Sequence, residues 1–261
     1  LNDPALSSVP ANPGYPTLSK TISASRKADP TFLRMDPPRH TEHRRMWSQY
    51  FTIRRIQAMK PGIRAIVDRV TDRFVTLPQP ADFVKEFALA IPSLVICQLL
   101  DVPDEAHDFF HRHSMTRTRL DGTPEQILAA MKALDDFWDA EIARREANPG
   151  EDIVSQLIVN EVRPGRLSRE ELRGMAQLML LAGHETTANM IALSTLTLLR
   201  HPEQLARLRA DPALVPAAVE EALRYLTVAQ NGLGRTCIAD TVIGGQPIRA
   251  GEGGLLGVAS A

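Results

Sequence analysis

One long stretch without a helix breaker constrains the fold of this chain most. Residues 168–200 contain no proline and only two glycines. The stretch begins with Ser168-Arg-Glu-Glu171, which has the form of a capping box: a serine hydroxyl and a glutamate carboxylate exchange hydrogen bonds with free backbone amides. Pro202 follows the stretch and restricts the residue before it to extended conformations. We therefore predict one unbroken helix from near Ser168 to near Arg200.

Polar residues interrupt this helix near its middle. Residues 175–182 and 190–193 are almost wholly apolar, and a helix that is apolar on every face is buried on every face. Between them lie His184, Glu185 and two threonines. A buried polar group without a hydrogen-bond partner costs about 1–3 kcal/mol. We expect a cavity with water, cofactor or substrate beside these groups; the alternative is a kink that their own side chains stabilise.

The residue types at this interruption suit proton handling. A hydroxyl beside a carboxylate, as in Glu185 and Thr186, can hold water and relay protons to a bound group. Gly183 would let another group approach the backbone closely. Thr186 could instead bond the carbonyl four residues earlier and bend the helix. We expect the main distortion of the helix at residues 183–186.

Composition excludes several classes of protein. The chain has 261 residues, 44% of them hydrophobic, which suffices for one large or two smaller domains. Lys and Arg number 30 against 31 Asp and Glu, so no charge excess favours nucleic acid. The sequence contains no run of 18 apolar residues, so no membrane span is predicted. Its first residues also lack the pattern of a signal peptide. We expect a cytoplasmic protein. The start also lacks methionine, which suggests that the chain begins within a longer protein.

Helical patterns dominate the middle of the sequence. We predict an irregular lead-in over 1–35, a helical region over 36–226 and a short β segment over 227–261. Together they form a single partial domain, mainly α with a minor β element. The predicted helices other than the long one cover 36–50, 54–75, 82–100, 104–119, 124–147, 151–160, 202–209 and 213–226. Residues 242–248, with Gly244-Gly245 at the centre, predict a hairpin.

Metal chemistry finds little support in the sequence. His184-Glu185 would begin a zinc-binding HExxH motif, but Ala188 occupies the position of the second histidine. His107, His111 and His113 flank an aspartate and could form a metal patch, although a solvated helix face explains them better. Cys97 and Cys237 fit no metal spacing. Cys97 lies in an apolar stretch that predicts a buried, inert thiol, and two cysteines suit a reducing compartment.

Four stretches occur in a recognisable order. The first, residues 35–46, places His40 and Arg44 four residues apart, so that one helix face presents two donors to an anion. The others are Ala182-Gly-His-Glu-Thr-Thr187, Glu221-Ala-Leu-Arg224 and residues 232–245 with Arg235. This ordered set resembles the bacterial soluble cytochromes P450. In that family the stretches are the propionate-contacting helix, the oxygen-binding helix, the ExxR pair and a second propionate-contacting segment.

The resemblance covers nearly the whole chain and implies the central part of the cytochrome P450 fold, truncated at both ends. The family's axial ligand is a cysteine thiolate in a glycine-rich loop downstream of ExxR. The chain stops at Ala261 before such a loop, and Cys237 lacks glycine-rich surroundings. We therefore expect the fragment alone to be inactive.

The resemblance also implies roles for individual residues. Haem b (iron protoporphyrin IX) would lie against Ala182 and Gly183, with Glu185 and Thr186 delivering protons during oxygen activation. The remaining roles go to His40, Arg44 and Arg235 at the propionates, to Glu221 and Arg224 as a structural ion pair, and to Val228, Ala229, Asn231 and Gly232 as substrate-lining candidates.

The implied activity is monooxygenation. Dioxygen and two electrons from a ferredoxin or flavodoxin-type partner would serve to hydroxylate or otherwise oxidise a small, mostly apolar organic substrate, without nucleic acid or membrane. Residues 83–89 and 189–193 resemble a fungal nitric-oxide-reducing member. That enzyme lacks the acid before the threonine, so Glu185 favours monooxygenation. A second alternative is a non-catalytic helical remnant.

Overall fold

The computed structural model describes residues 3–16, 31–103, 106–118, 122–229 and 233–257. Within them the chain is mainly helical, as predicted. The helices are α1 (Arg39–Ser48), α2 (Ile53–Val75), α3 (Ala90–Leu100), α4 (His107–Thr118), α5 (Pro124–Ala147), α6 (Ile153–Leu157), α7 (Arg169–Arg200), α8 (Pro202–Ala210) and α9 (Val215–Tyr225). The strands are β1 (Leu6–Ser7), β2 (Leu233–Cys237), β3 (Thr241–Ile243), β4 (Gln246–Ile248) and β5 (Gly253–Leu256).

Local signals explain most of the helix boundaries. Thr123 caps α5 in a capping box with Gln126, and a proline occupies the first position of that helix. The Asp152 side chain accepts the backbone N–H of Ser155 and caps α6. Two π-helical segments were not predicted, at Val84–Ala88 before α3 and at Ile158–Val162 after α6. Single-turn π segments carry no strong sequence signal.

The predicted long helix is confirmed as α7. The Glu171 backbone N–H donates to Ser168 Oγ at 3.1 Å, and the Ser168 N–H donates to Glu171 Oε2 at 2.8 Å. The helix continues without a break to Arg200, through the polar residues at its middle. The distortion expected at 183–186 stays a prediction. None of the described helices is long and apolar enough to cross a membrane.

Two small antiparallel sheets complete the described structure. The predicted hairpin is confirmed: β3 pairs with β4 around Gly244 and Gly245, whose φ angles of 57° and 81° suit a type I′ turn. A three-stranded sheet in the order β1-β2-β5 was not predicted. Strand β1 is only two residues long, and β5 reads Gly-Gly-Leu-Leu without polar alternation. The lead-in is therefore not wholly irregular, since its β1 pairs with β2.

The chain divides into two compact units, which are described separately. Unit 1 comprises Leu1–Ala58, Cys97–Met179 and Gly232–Leu256, and unit 2 comprises Met59–Ile96, Leu180–Asn231 and Gly257–Ala261. The organisation of residues 1–261 as a single partial domain stays a prediction.

Unit 1 has a well-packed apolar core. Trp138 and Ile142 of α5, and Leu172 and Met175 of α7, are fully buried. A buried cation, Arg145, was not predicted from the sequence. Its guanidinium donates to the carbonyl oxygens of Leu100 and Asp101 at 2.9 and 2.6 Å. Carboxylates of Glu141 and Asp152 balance its charge. Arg145 thus joins the end of α3 to α5 and α6 through charge-assisted bonds.

Unit 2 has a smaller core and an exposed apolar surface. Ile66 and Val70 of α2 pack with Ile91 of α3 at its centre. Residues 190–193 of α7, which belong to unit 2, were expected to be buried on every face, and this expectation is wrong because none of the four is buried. Leu193, Leu196 and Leu199 are 37%, 43% and 64% exposed. Within the described residues, these leucines leave part of the helix surface open to solvent.

Candidate functional site

The polar residues at the middle of α7 differ in exposure. His184 is buried and Glu185 is half-buried, whereas Thr186 and Thr187 are exposed. Two of these side chains bond their own helix: Thr186 Oγ1 donates to the Ala182 carbonyl at 2.7 Å, and His184 Nδ1 lies 3.0 Å from the Leu180 carbonyl. The back-bond of Thr186 matches the alternative stated above. The expectation of a buried hydroxyl is wrong for both threonines.

Glu185 is the polar group that its surroundings do not satisfy. Its Oε1 is buried and accepts no hydrogen bond from the residues described. The nearest cationic candidate is His184, whose Nε2 lies 4.0 Å from Oε1. Burial raises the pKa of Glu185, and the charge of His184, which acts to lower it, does not cancel this effect. Glu185 therefore keeps its proton to a higher pH than an ordinary glutamate, as a proton donor requires.

Gly183 does permit a close approach, and the approaching group is an apolar side chain of this chain. A Cβ added at Gly183 would lie 3.0 Å from Cδ1 of Ile96 in α3. Such a contact is tighter than most Cβ contacts, and Ile96 would have to shift by a few tenths of an ångström, so the glycine favours close packing of α3 and α7 at this point within unit 2. Ala182, one residue earlier, is exposed.

The predicted anion donors lie in unit 1. His40 and Arg44 are four residues apart on α1; His40 is half-buried and Arg44 is exposed. The His40 ring meets the Phe32 ring edge-on, with centroids 6.2 Å apart. Arg235, on β2, donates to the adjacent Gly234 carbonyl at 2.8 Å. Neither Arg44 nor Arg235 forms an ion pair with an acid within the described ranges, and the Arg235 guanidinium is partly engaged by the Gly234 carbonyl.

Glu221 and Arg224 form the predicted ion pair on α9. Two hydrogen bonds of 2.7 Å join the guanidinium to the carboxylate, and the bond to Arg224 lowers the pKa of Glu221. Both side chains are exposed, at 60% and 70%. Loss of Arg224 would therefore leave no buried charge within the described structure, and exposed pairs contribute little to stability. The structural role of the pair stays a prediction.

The other candidate residues give a mixed result. Val228 is half-buried and Ala229 is exposed, whereas Asn231 and Gly232 lie outside the described residues. No group of three or more His, Cys, Asp or Glu side chains is placed to hold a metal within the part that the structure describes; the His107 side chain is not part of it. Cys97 is buried, as predicted, and so is Cys237, whose Sγ donates to the Ala239 carbonyl at 2.9 Å.

A contact between α1 and the start of α7 was not found from the sequence. The Arg39 guanidinium donates to Glu171 Oε1, and His43 Nε2 lies 3.6 Å from the same oxygen. The capping box identified Glu171, but only for its role within α7. Arg39 and Glu171 are 132 residues apart, and no local pattern predicts such a pair.

Comparison of the amino-acid sequence with known proteins identifies the family of this chain. The family described as Cytochrome P450 matches residues 99–253, more than half of the chain. Cytochrome P450-SU2 of Streptomyces griseolus is 46% identical, covering 100% of this chain and 64% of that protein. Pentalenic acid synthase of Streptomyces avermitilis is 45% identical, covering 97% and 62%. The chain thus spans under two thirds of the length of these relatives.

Solved structures agree with the sequence comparison. Mycinamicin VIII C21 methyl hydroxylase from Micromonospora griseorubida, crystallised with mycinamicin VIII, matches with a TM-score of 0.91 at 37% identity. The match covers 99% of this chain and 65% of that one. The described architecture corresponds to the central part of that fold.

Proposed function

Because the chain belongs to the cytochrome P450 family, we propose that the complete protein is a haem-dependent monooxygenase. It would use dioxygen and two electrons to hydroxylate or otherwise oxidise a small organic molecule. The observation that carries this proposal is Glu185, a half-buried acid with an unsatisfied oxygen and a raised pKa, directly before Thr186. The fungal nitric-oxide-reducing member lacks an acid at this position, so Glu185 favours monooxygenation. No contact of the described residues favours a non-catalytic role.

The residues present fit haem b as the cofactor. Arg44 and Arg235 have no carboxylate partner among the described side chains, and His40 shares the helix face of Arg44. We assign these three to the haem propionates, because guanidinium groups bind carboxylates well. We assign Ala182 and Gly183 of α7 to the face of the macrocycle. When bound, haem supplies the dioxygen-binding iron and the electron transfer that no protein side chain provides.

The catalytic contribution of this chain is proton supply. Burial raises the pKa of Glu185, which favours its protonated form. Thr186 has an exposed hydroxyl whose hydrogen is shared with the Ala182 carbonyl, and its oxygen keeps acceptor capacity. We propose that Glu185 donates the proton and that Thr186 orders the water that carries it. Glu221 and Arg224 have no part in this chemistry and are assigned a structural role.

For the substrate and the electron donor, we infer only a chemical class. Val228 and Ala229, with Asn231 and Gly232, are our candidates for lining the substrate, and they indicate a mostly apolar molecule. Two relatives are named pentalenic acid synthase and mycinamicin VIII C21 methyl hydroxylase, and the second name describes hydroxylation of an organic molecule. We propose a ferredoxin or flavodoxin-type protein as the electron donor. A chain with only two cysteines, Cys97 and Cys237, suits the reducing cytoplasm, where we place the protein.

We also propose that neither Cys97 nor Cys237 ligates the iron. Both are buried, and the thiol of Cys237 is committed to a backbone carbonyl. An axial ligand must be a thiolate open to the iron. Residues 1–261 by themselves would therefore lack P450 activity, and any haem they bind would be held weakly by histidine or water.

The reduced carbon monoxide spectrum tests both statements. We expect the complete protein to give the absorption band of thiolate-ligated haem, and the variants Cys97→Ala and Cys237→Ala to keep it. Residues 1–261 with added haemin should not give this band. A complete protein without it would contradict the proposed function. Loss of the band in either cysteine variant, at normal folding, would contradict the assignment of the ligand.

A further inference from the structure

Helix α1 and the start of α7 meet at one carboxylate, that of Glu171. Its Oε2 accepts the Ser168 backbone N–H at 2.8 Å, and its Oε1 accepts a bond from the Arg39 guanidinium. His43 Nε2, one turn along α1 from Arg39, lies 3.6 Å from the same Oε1. All these residues belong to unit 1. Glu171 thus ties the capped end of α7 to two consecutive turns of α1.

His43 is buried beside the Glu171 carboxylate, so its protonation state affects the contact between α1 and α7. Its side chain is fully buried, and neither ring nitrogen has a hydrogen-bond partner among the described residues. Burial lowers the pKa of His43; Glu171 and Glu42 act to raise it, and Arg39 acts to lower it. Burial also raises the pKa of Glu171, but the bonds from Ser168 and Arg39 and the charge of His43 outweigh this. At neutral pH, above the lowered pKa of His43, the Glu171 carboxylate faces an uncharged imidazole and a guanidinium, and the charge of His43 acts on it only at acid pH.

Two pairs of residues lie side by side along α1. The junction residues Arg39 and His43 contact Glu171, and the predicted anion donors are His40 and Arg44. His40 and Arg44 each follow a junction residue by one position, which is a rotation of about 100° around the helix axis. A rotation or shift of α1 therefore moves both pairs together. We propose that Glu171 is a positioning residue for haem binding, which sets α1 so that His40 and Arg44 face the haem carboxylates. This inference rests on the proposed function.

The variant Glu171→Gln isolates the junction from the capping box. Glutamine replaces glutamate well at this capping position, so the bond from Ser168 and the start of α7 are kept. The charge that faces Arg39 and His43 is lost. The matched control is Arg173→Ala, because the Arg173 ion pair with Asp139, at 2.7 Å, ties the same end of α7 to α5 rather than to α1.

The experiment measures haem loss from the complete protein, by transfer to apomyoglobin. We expect Glu171→Gln and Arg39→Ala each to accelerate haem loss about fivefold or more, as for removal of one charged hydrogen bond. The double variant should lose haem no faster than either single variant. Arg173→Ala should stay within about twofold of wild type. In resonance Raman spectra, the propionate bending bands should shift in Glu171→Gln but not in Arg173→Ala, which a purely structural role would not produce.

Amide hydrogen exchange of residues 39–48 provides a second readout that does not depend on haem. Exchange there should rise in Glu171→Gln, while the first turns of α7 keep their protection. Wild-type haem loss in Glu171→Gln, or equal acceleration in Arg173→Ala, would overturn the positioning role alone. Faster exchange with unchanged haem loss would overturn it as well. A wild-type protein that retains no haem would instead overturn the proposed function, and the positioning role with it.

Discussion

Glu171 and Glu185 lie on the same helix, α7, in opposite surroundings. Hydrogen bonds from Ser168 and Arg39 outweigh the effect of burial and hold the pKa of Glu171 below its ordinary value. Glu185 has a buried oxygen that accepts no hydrogen bond within the described part of the chain, and burial raises its pKa. Donors near the first glutamate stabilise its charge, whereas their absence near the second favours its proton. The difference distinguishes Glu171, an acid suited to a structural role, from Glu185, an acid suited to proton donation.

These opposite shifts affect stability in opposite directions. Glu171 has a lowered folded pKa, so its contribution is present above the ordinary glutamate pKa and is lost as pH falls through the folded value. Glu185 has a raised folded pKa, so its contribution is present at acid pH and is lost as pH rises through the folded value. The helix keeps one acid that costs stability at neutral pH, which is typical of functional sites.

The largest expected effect compares the apolar residues around these acids. Leu172, next to Glu171, is fully buried, whereas Leu199, beyond Glu185, is 64% exposed. Leu172→Ala should lower the free energy of unfolding of residues 1–261 by about 2–5 kcal/mol, because it leaves a cavity. Leu199→Ala should change it by less than about 0.5 kcal/mol. Urea unfolding measures both. Equal losses would show that the two parts of α7 are packed alike.

The second prediction concerns chemistry at Glu185 and Thr186. In the complete protein, Thr186→Ala should leave haem content unchanged but raise the hydrogen peroxide released per NAD(P)H, with product formation reduced about tenfold to a hundredfold. Glu185→Gln should slow the same step, since an amide does not donate a proton. Thr186→Ser keeps the hydroxyl and is the control. Unchanged coupling in Thr186→Ala would show that its hydroxyl only bonds the Ala182 carbonyl.

A smaller effect is expected where Gly183 meets Ile96. An alanine Cβ would lie 3.0 Å from Ile96 Cδ1, and crowding of this kind costs about 1–3 kcal/mol. The helix propensity of alanine offsets about 1 kcal/mol of that cost. Ile96→Val deletes the nearest crowding atom, Cδ1, and keeps Cγ1, which would lie at 3.2 Å. In a double-mutant cycle on the free energy of unfolding, Gly183→Ala should be better tolerated in the Ile96→Val background. Strict additivity would indicate that the two helices separate there instead.

The smallest effect is expected at the exposed pair on α9. Both Glu221 and Arg224 face solvent, so Arg224→Ala should leave the thermal unfolding of residues 1–261 almost unchanged. Glu221→Gln is the matching variant from the other side of the pair. A marked drop in the melting temperature of either variant would show that the Glu221–Arg224 pair stabilises the fold of residues 1–261.

The sequence predicted those features that depend on residues close together in the chain. The capping box of Ser168 and Glu171, the proline after Arg200 and the Gly244-Gly245 turn each act within a few residues. The order of four motifs identified the family, because it combines several weak local patterns. Helix periodicity also placed His40 and Arg44 on one face.

Features that depend on packing between distant segments could not be predicted. The partners of Arg39, His43 and Arg145 come from elsewhere in the chain, and so does the strand that pairs with β1. The exposure of Leu193 and Leu199 was also missed. An apolar pattern shows that a surface needs cover, but not which segment covers it. For the same reason, the sequence predicted that Glu185 was unusual without distinguishing its environment from that of Thr186, which is exposed.

The central claim is that Glu185 retains a proton where Glu171 does not. An infrared titration of residues 1–261 measures this directly, through the carbonyl stretch of protonated carboxyl groups. Glu185→Gln and Glu171→Gln assign the bands by subtraction. We predict that the Glu185 band persists to a pH above the ordinary glutamate range, and that the Glu171 band appears only below it. Glu185 ionising at or below its ordinary pKa would contradict the account, because it would then hold no proton to deliver.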